Sequence, residues 1–206
     1  MSKTKVREIL NSDDTKKEKF EYLWGYYRWH VIFSVLALFF VGYLFEDWMN
    51  RPITVFHVTV LAPEVVQQEA PNLTDDLNDL LEPEGRNETA YATFTAHGQT
   101  ADRFVAQITA AEYDVILMNQ TDFEEYAAYD NMMSFRLTGL SEEDYYQPDN
   151  YDEPIGIDSS QLSVFDGYET TKDLVVMIPG NTQRRDAIED FFKTQGYEIE
   201  FFGTNQ

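Results

Sequence analysis

Acid–base or metal chemistry in this chain would have to begin from three histidines, His30, His57 and His97, because cysteine is absent. No His-Glu-x-x-His or His-x-His pair occurs, so a zinc site would need ligands gathered from distant segments. His57 lies in an apolar, β-branched run and reads as a sheet-face histidine satisfied within the core. Ser159, Ser160 and Ser163 lack the glycine setting of a nucleophile elbow. Asp75, Asp76, Asp79, Glu82 and Glu84 lack the alternating ligands of a calcium loop and read as the solvated face of a helix. Pro179-Gly180-Asn181 is a turn and a cap, not a phosphate cradle. A non-enzyme is expected, with no cofactor and no resident metal.

Recognition chemistry is better represented. The segment 142–153 combines Glu142, Glu143, Asp144, Asp149, Asp152 and Glu153 with Tyr145, Tyr146 and Tyr151. Aromatic anchors inside a charged rim suit a protein interface, because rings contribute contact energy and charges steer the encounter. These residues form the candidate partner surface, and a loosely held cation at Asp144, Asp149, Asp152 and Glu153 is the lesser alternative. A nucleic-acid partner is excluded on charge: the chain holds 15 basic and 37 acidic residues, and phosphates would be repelled.

The elements that position this surface divide at an apolar stretch. Residues 29–45, WHVIFSVLALFFVGYLF, are 17 consecutive positions without Asp, Glu, Lys or Arg. As a helix they extend about 25 Å, the short end of the spanning range. Trp24, Tyr26, Tyr27, Arg28, Trp29 and Trp48 supply rings and a snorkelling cation for the two interfaces. The exit through Phe45-Glu46-Asp47-Trp48 offers no small-residue cleavage site, so an uncleaved signal-anchor is expected. Residues 1–28 carry seven basic and five acidic residues, leaving 8 and 32 beyond them, a formal charge of −24. Basic flanks stay in the cytoplasm, which places the C-terminal domain outside the cell membrane. The expected organisation is a tail over 1–22, an anchor over 23–48, and an extracellular domain over 53–206.

Within that domain, ITVFHVTVLA (53–62) reads as a buried strand, and PNLTDDLNDLL (71–81) as a helix with its leucines on one face. TAYATFTAH (89–97) reads as a strand, followed by a helix capped at Thr100. YDVILM (113–118) is a short apolar strand, and Thr121 and Glu124 have capping-box spacing for the next helix. The order β-α-β-α-β-α is that of a parallel sheet covered by helices. The span 134–154 shows no period, IGIDSSQL (155–162) and DLVVMIP (173–179) read as strands, and Asn181 is placed to cap a helix ended by Gly196. YEIEFF (197–202) closes the chain as an edge strand.

YDVILM with its following helix, IGID, and DLVVMIPGNTQRRDAIEDFF together resemble one lobe of the type II extracellular solute-binding proteins of bacterial importers. Trp24-Gly-Tyr-Tyr-Arg-Trp-His30 is similar to the juxtamembrane motif of small single-pass proteins of Gram-positive bacteria. The resemblance implies a three-layer α/β domain with a mostly parallel sheet, like one lobe of a periplasmic-binding-protein fold, and an ABC-type transporter among the partners. Only about twenty residues separate Met133 from Ile155, where a second lobe would be inserted, so the chain has half a cleft. Two functions follow. One is an anchored accessory or assembly subunit that binds other membrane proteins. The alternative is a tethered domain that captures or senses a solute or peptide, whose small-molecule ligand stays open.

Overall fold

The computed structural model describes residues 15–96 and 101–203, in two compact units, Met1–Arg51 and Pro52–Gln206. His97, the Thr100 cap and most of the 1–22 tail lie outside the described residues.

The described residues of the first unit form one helix, α1, Lys16–Met49. It opens on a capping box with the Thr-x-x-Glu spacing of Thr15 and Glu18: Thr15 Oγ1 accepts from Glu18 N–H, and the Glu18 carboxylate accepts from Thr15 N–H at 3.0 Å. From Trp24 to Met49 the helix is long and apolar enough to cross a membrane, and its large side chains are exposed all round. A helix apolar on every side cannot shield itself against a core on one face, which is the pattern of a lipid-facing segment. Trp24, Tyr26, Trp29 and Trp48 are 47–67% exposed, and Arg28 lies 5.7 Å from the Trp29 ring centre.

The second unit is built on β1 (Ile53–Ala62), α2 (Glu69–Leu81), β2 (Glu88–Ala96), α3 (Ala101–Thr109), β3 (Val115–Met118) and α4 (Gln120–Ala127). There follow β4 (Ser134–Leu137), β5 (Tyr145–Tyr146), β6 (Gly156–Asp158), β7 (Val175–Met177), α5 (Arg185–Thr194) and β8 (Ile199–Phe202). The main sheet has the order β2-β1-β3-β7-β6-β5. β2, β1 and β3 are mutually parallel, whereas β7, β6 and β5 alternate, so four of the six strands point one way.

Alternate side chains of β1 face opposite cores. Phe56, Val58 and Val60 join Leu73 and Leu77 of α2 and Phe191 and Phe192 of α5 on one side. Leu61 joins Phe104 and Ile108 of α3 and Phe123 of α4 on the other. Right-handed crossovers that run in opposite directions along the sheet, from β1 out to β2 and from β2 back past β1 to β3, put α2 and α3 on opposite faces, and three layers result. Val115, Ile116, Val175 and Val176 lie in the central strands β3 and β7 at 0–1% exposure.

Two cap assignments are corrected, and the expected C-terminal edge strand forms outside the main sheet. α4 is capped by Asn119, whose side chain accepts from Asp122 N–H at 2.9 Å, two residues before Thr121. Asn181 does not cap α5. Its amide donates to the carbonyls of Ile108 and Thr109 at 2.8 and 3.3 Å, closing the C-terminal end of α3 instead. β8 does not extend the main sheet but pairs with β4 as a separate two-stranded ribbon, whose Phe135, Leu137, Ile199 and Phe201 pack on the first core. Gly196 does end α5, with φ +91.

Candidate functional site

The segment 142–153 is ordered by its own tyrosines. Tyr145 Oη accepts from Leu137 N–H at 2.7 Å and donates to Leu137 C=O at 3.0 Å, which ties the segment to β4. Tyr146 stands edge-on to Phe123 at 5.6 Å, and Tyr151 Oη accepts from Met132 N–H at 3.2 Å. All three rings are half-buried, and burial pushes each phenol above its ordinary pKa. The rings therefore spend part of their surface inward, leaving only the remainder to a partner.

The acids separate into two groups. Arg136 gathers Glu142 at 2.5 Å and Glu153 at 2.8 Å, while its guanidinium lies 5.5 Å from the Tyr145 ring centre. Asp144 accepts from Ser141 N–H at 2.8 Å. Asp149 and Asp152 are exposed. Asp152 and Glu153 join Asp130, Asn150 and Tyr151 along the wall of a groove of about 960 Å³, which Met132, Asn181 and Phe202 help to line. Among the described residues, no group of three or more His, Asp or Glu could hold a metal ion.

A second polar constellation was missed in the sequence reading. Asp114, fully buried at the start of β3, accepts from His57 N–H at 2.8 Å and from the Thr182 hydroxyl at 2.8 Å. Arg184 Nε reaches both of its oxygens at 3.0 and 2.8 Å, and Arg184 Nη2 donates to Glu112 C=O at 2.8 Å. Burial raises the Asp114 carboxyl above its usual range, against the pull of Arg184, Thr182 and the His57 amide. This cluster joins β1, β3 and the turn before α5. It also explains why α5 starts at Arg185 and not beside Asn181: Thr182 and Arg184 are held by Asp114.

The His57 ring extends the cluster. Nδ1 lies 3.0 Å from Glu112 C=O and Nε2 lies 3.0 Å from Thr93 Oγ1. A carbonyl only accepts, so Nδ1 carries the proton and Nε2 faces the Thr93 hydroxyl as an acceptor, in competition with Thr59 Oγ1 at 3.1 Å from Thr93 Oγ1. The row hydroxyl–imidazole–carbonyl has the order of a nucleophile, base and orienter. Burial, with Arg184 adding to it, lowers the imidazole to about 4, however, and such a weak base takes up little of a hydroxyl proton at neutral pH.

Open α/β sheets hold ligands beyond the carboxyl ends of the strands where the order reverses, here β1 and β3. The segment leaving β1 is instead stitched to the turn before β7. Val66 N–H donates to Thr170 Oγ1 at 3.0 Å, and the Glu69 carboxylate accepts from Glu169 N–H, Thr170 N–H and the Thr170 hydroxyl at 3.0, 3.0 and 2.7 Å. Burial opposes ionisation of Glu69, yet these donors hold its carboxyl below the ordinary range. A cavity of about 270 Å³ lies to one side, lined by Gln67, Thr93, Thr95, Arg103, Gln107 and Tyr113. No family model, curated protein or solved structure matches the chain.

Proposed function

We propose that this chain is a membrane-anchored accessory or assembly subunit, held by α1 with its C-terminal domain on the outer side, where it binds other membrane proteins. The observation that carries the reading is the stitched exit of β1. The position at which this sheet type ordinarily receives a ligand is occupied by Val66, Glu69, Glu169 and Thr170 bonding to one another. A domain that keeps the architecture while filling its ligand mouth has its surface left for recognition. Seven basic residues precede the apolar run and a formal charge of −24 follows it, which favours the basic end as the cytoplasmic one. The lobe-like order of elements favours a transporter complex as the assembly served.

The runner-up, a tethered capture domain for a solute or peptide, draws on the cavity beside Arg103. At about 270 Å³ it falls just under the range of ordinary ligand pockets, about 300–1,000 Å³. Affinity purification of the full chain in mild detergent separates the two. Membrane proteins recovered in fixed stoichiometry support the subunit reading. A chain recovered alone, with a small molecule that raises its melting temperature, supports capture and refutes the first reading.

A further inference from the structure

The two sheets have four outer edges, on β2, β5, β4 and β8, and they are finished differently, that of β4 being taken up by Pro154 C=O and Tyr145 Oη. An unpaired strand edge is a template for another strand, and proteins ordinarily blunt it. The β2 edge is blunted by side chains. The Asn78 amide accepts from Ala90 N–H and donates to Ala90 C=O, both at 2.9 Å, as a neighbouring peptide group would. Thr74 Oγ1 takes Ala92 N–H at 3.0 Å, and Gln67 Nε2 donates to Phe94 C=O at 3.3 Å. The β5 edge is only two residues long. β8, four residues long, has no such side-chain cover among the described residues.

The register shows which groups β8 leaves open. Thr138 N–H donates to Glu198 C=O at 2.9 Å, whereas Phe135 N–H and Leu137 N–H turn away to Pro154 C=O and Tyr145 Oη. The narrow pairs of the ladder are therefore Arg136 with Glu200 and Ser134 with Phe202, and the backbone of Ile199 and Phe201 faces the open side. By the same pleat, Ile199 and Phe201 project their side chains to the core, while Glu198 and Glu200 lie on the outer face.

We propose that the open edge of β8 receives an extended segment of a partner protein that carries Lys or Arg at alternate positions. This rests on the subunit reading above and specifies its contact. A second copy of β8 is disfavoured, because the antiparallel registers that pair Ile199 with Ile199 or with Phe201 would set glutamate against glutamate. Arg136 stands opposite Glu200 in the ladder, but its guanidinium is taken by Glu142 and Glu153, and Arg185 lies 5.7 Å over the Phe201 ring, on the core-facing side. The partner's cations accordingly belong on the outer face, opposite Glu198 and Glu200, and small or apolar side chains belong inward. Main-chain bonds would give affinity and the alternate charges specificity.

The test uses the full chain in a non-ionic detergent and a synthetic eight-residue peptide alternating lysine and threonine. Two companions accompany it: the same peptide N-methylated at alternate residues, and a glutamate–threonine version. The expected result is binding of the first peptide, weakened at least tenfold by N-methylation, by glutamate, and by the double change Glu198→Lys with Glu200→Lys in the protein. Equal binding of the N-methylated peptide would reduce the contact to charge attraction and overturn strand pairing. Absence of binding, or indifference to the double change, would overturn the proposal as well. If the doubly changed chain still co-purifies the same membrane proteins, the β8 inference fails and the subunit reading stands. If the natural chain co-purifies none, the subunit reading fails whatever the peptides do.

Discussion

His57 makes the stability of the C-terminal domain depend on pH in a direction and window that the structure fixes. Its imidazole is 8% exposed, and burial lowers its pKa from 6.5 to about 4. Between those values the unfolded chain binds a proton that the folded chain refuses, so stability rises with pH across the window. The contribution is complete above about pH 6.5 and is lost as pH falls towards 4. A displacement of that size corresponds to a loss of about 2.5 kcal/mol by pH 4.5, a large share of the margin of a domain this size. Urea unfolding of the natural chain and of His57→Gln, both in detergent micelles at pH 7.0 and 4.5, isolates the effect from carboxylate titration common to both. The glutamine variant starts less stable but is expected to lose about 2 kcal/mol less on acidification. Equal losses in the two chains would refute the buried, neutral histidine.

Val115 and Val176 are fully buried in β3 and β7, so truncation of either to Ala should lower the unfolding free energy by about 1–3 kcal/mol, read by the same denaturation assay. Tyr145→Phe removes both hydrogen bonds to Leu137 while keeping the ring, and a loss of about 1–3 kcal/mol is expected; an unchanged melting temperature would return Tyr145 to the surface alone. Asn78→Leu strips the amide from the β2 edge and exposes the Ala90 peptide groups, so light scattering on mild heating should show earlier aggregation than in the natural chain.

The long apolar helix and the first three strands were legible because their signals are local. An apolar run of 17 residues, and short runs rich in β-formers or apolar residues, need no tertiary context to declare themselves. The β4–β8 ribbon was hidden for the opposite reason. SFRL is four residues inside an aperiodic stretch, and its partner lies some sixty positions away, held by Phe135 and Phe201 packing onto a core that the ribbon itself completes. Asn181 illustrates how an intrinsic preference is overruled. Its cap-like position before α5 is real, but Asp114 claims Thr182 and Arg184, and the amide is left facing the end of α3. The aromatic–acid segment 142–153 was readable as a concentration of residue types. That its tyrosine hydroxyls would turn inward to Leu137 and Met132 was not, since nothing in the spacing indicates which backbone groups β4 leaves unsatisfied. The cluster around Asp114 had one faint signal, a charged residue beside an all-apolar strand, where a buried carboxylate must find partners.

The lysines offer the most direct test of an anchored subunit facing outward. Lys172 and Lys193 are the only two beyond α1, whereas Lys16, Lys17 and Lys19 stand at its start. Intact cells treated with a membrane-impermeant, amine-reactive cross-linker, followed by peptide mapping, report side and neighbour together. The expected result is modification at Lys172 and Lys193, with cross-links from them to outward-facing parts of another membrane protein, and none at Lys16, Lys17 or Lys19. Modification at Lys16, Lys17 and Lys19 with Lys172 and Lys193 untouched would invert the topology and contradict the account.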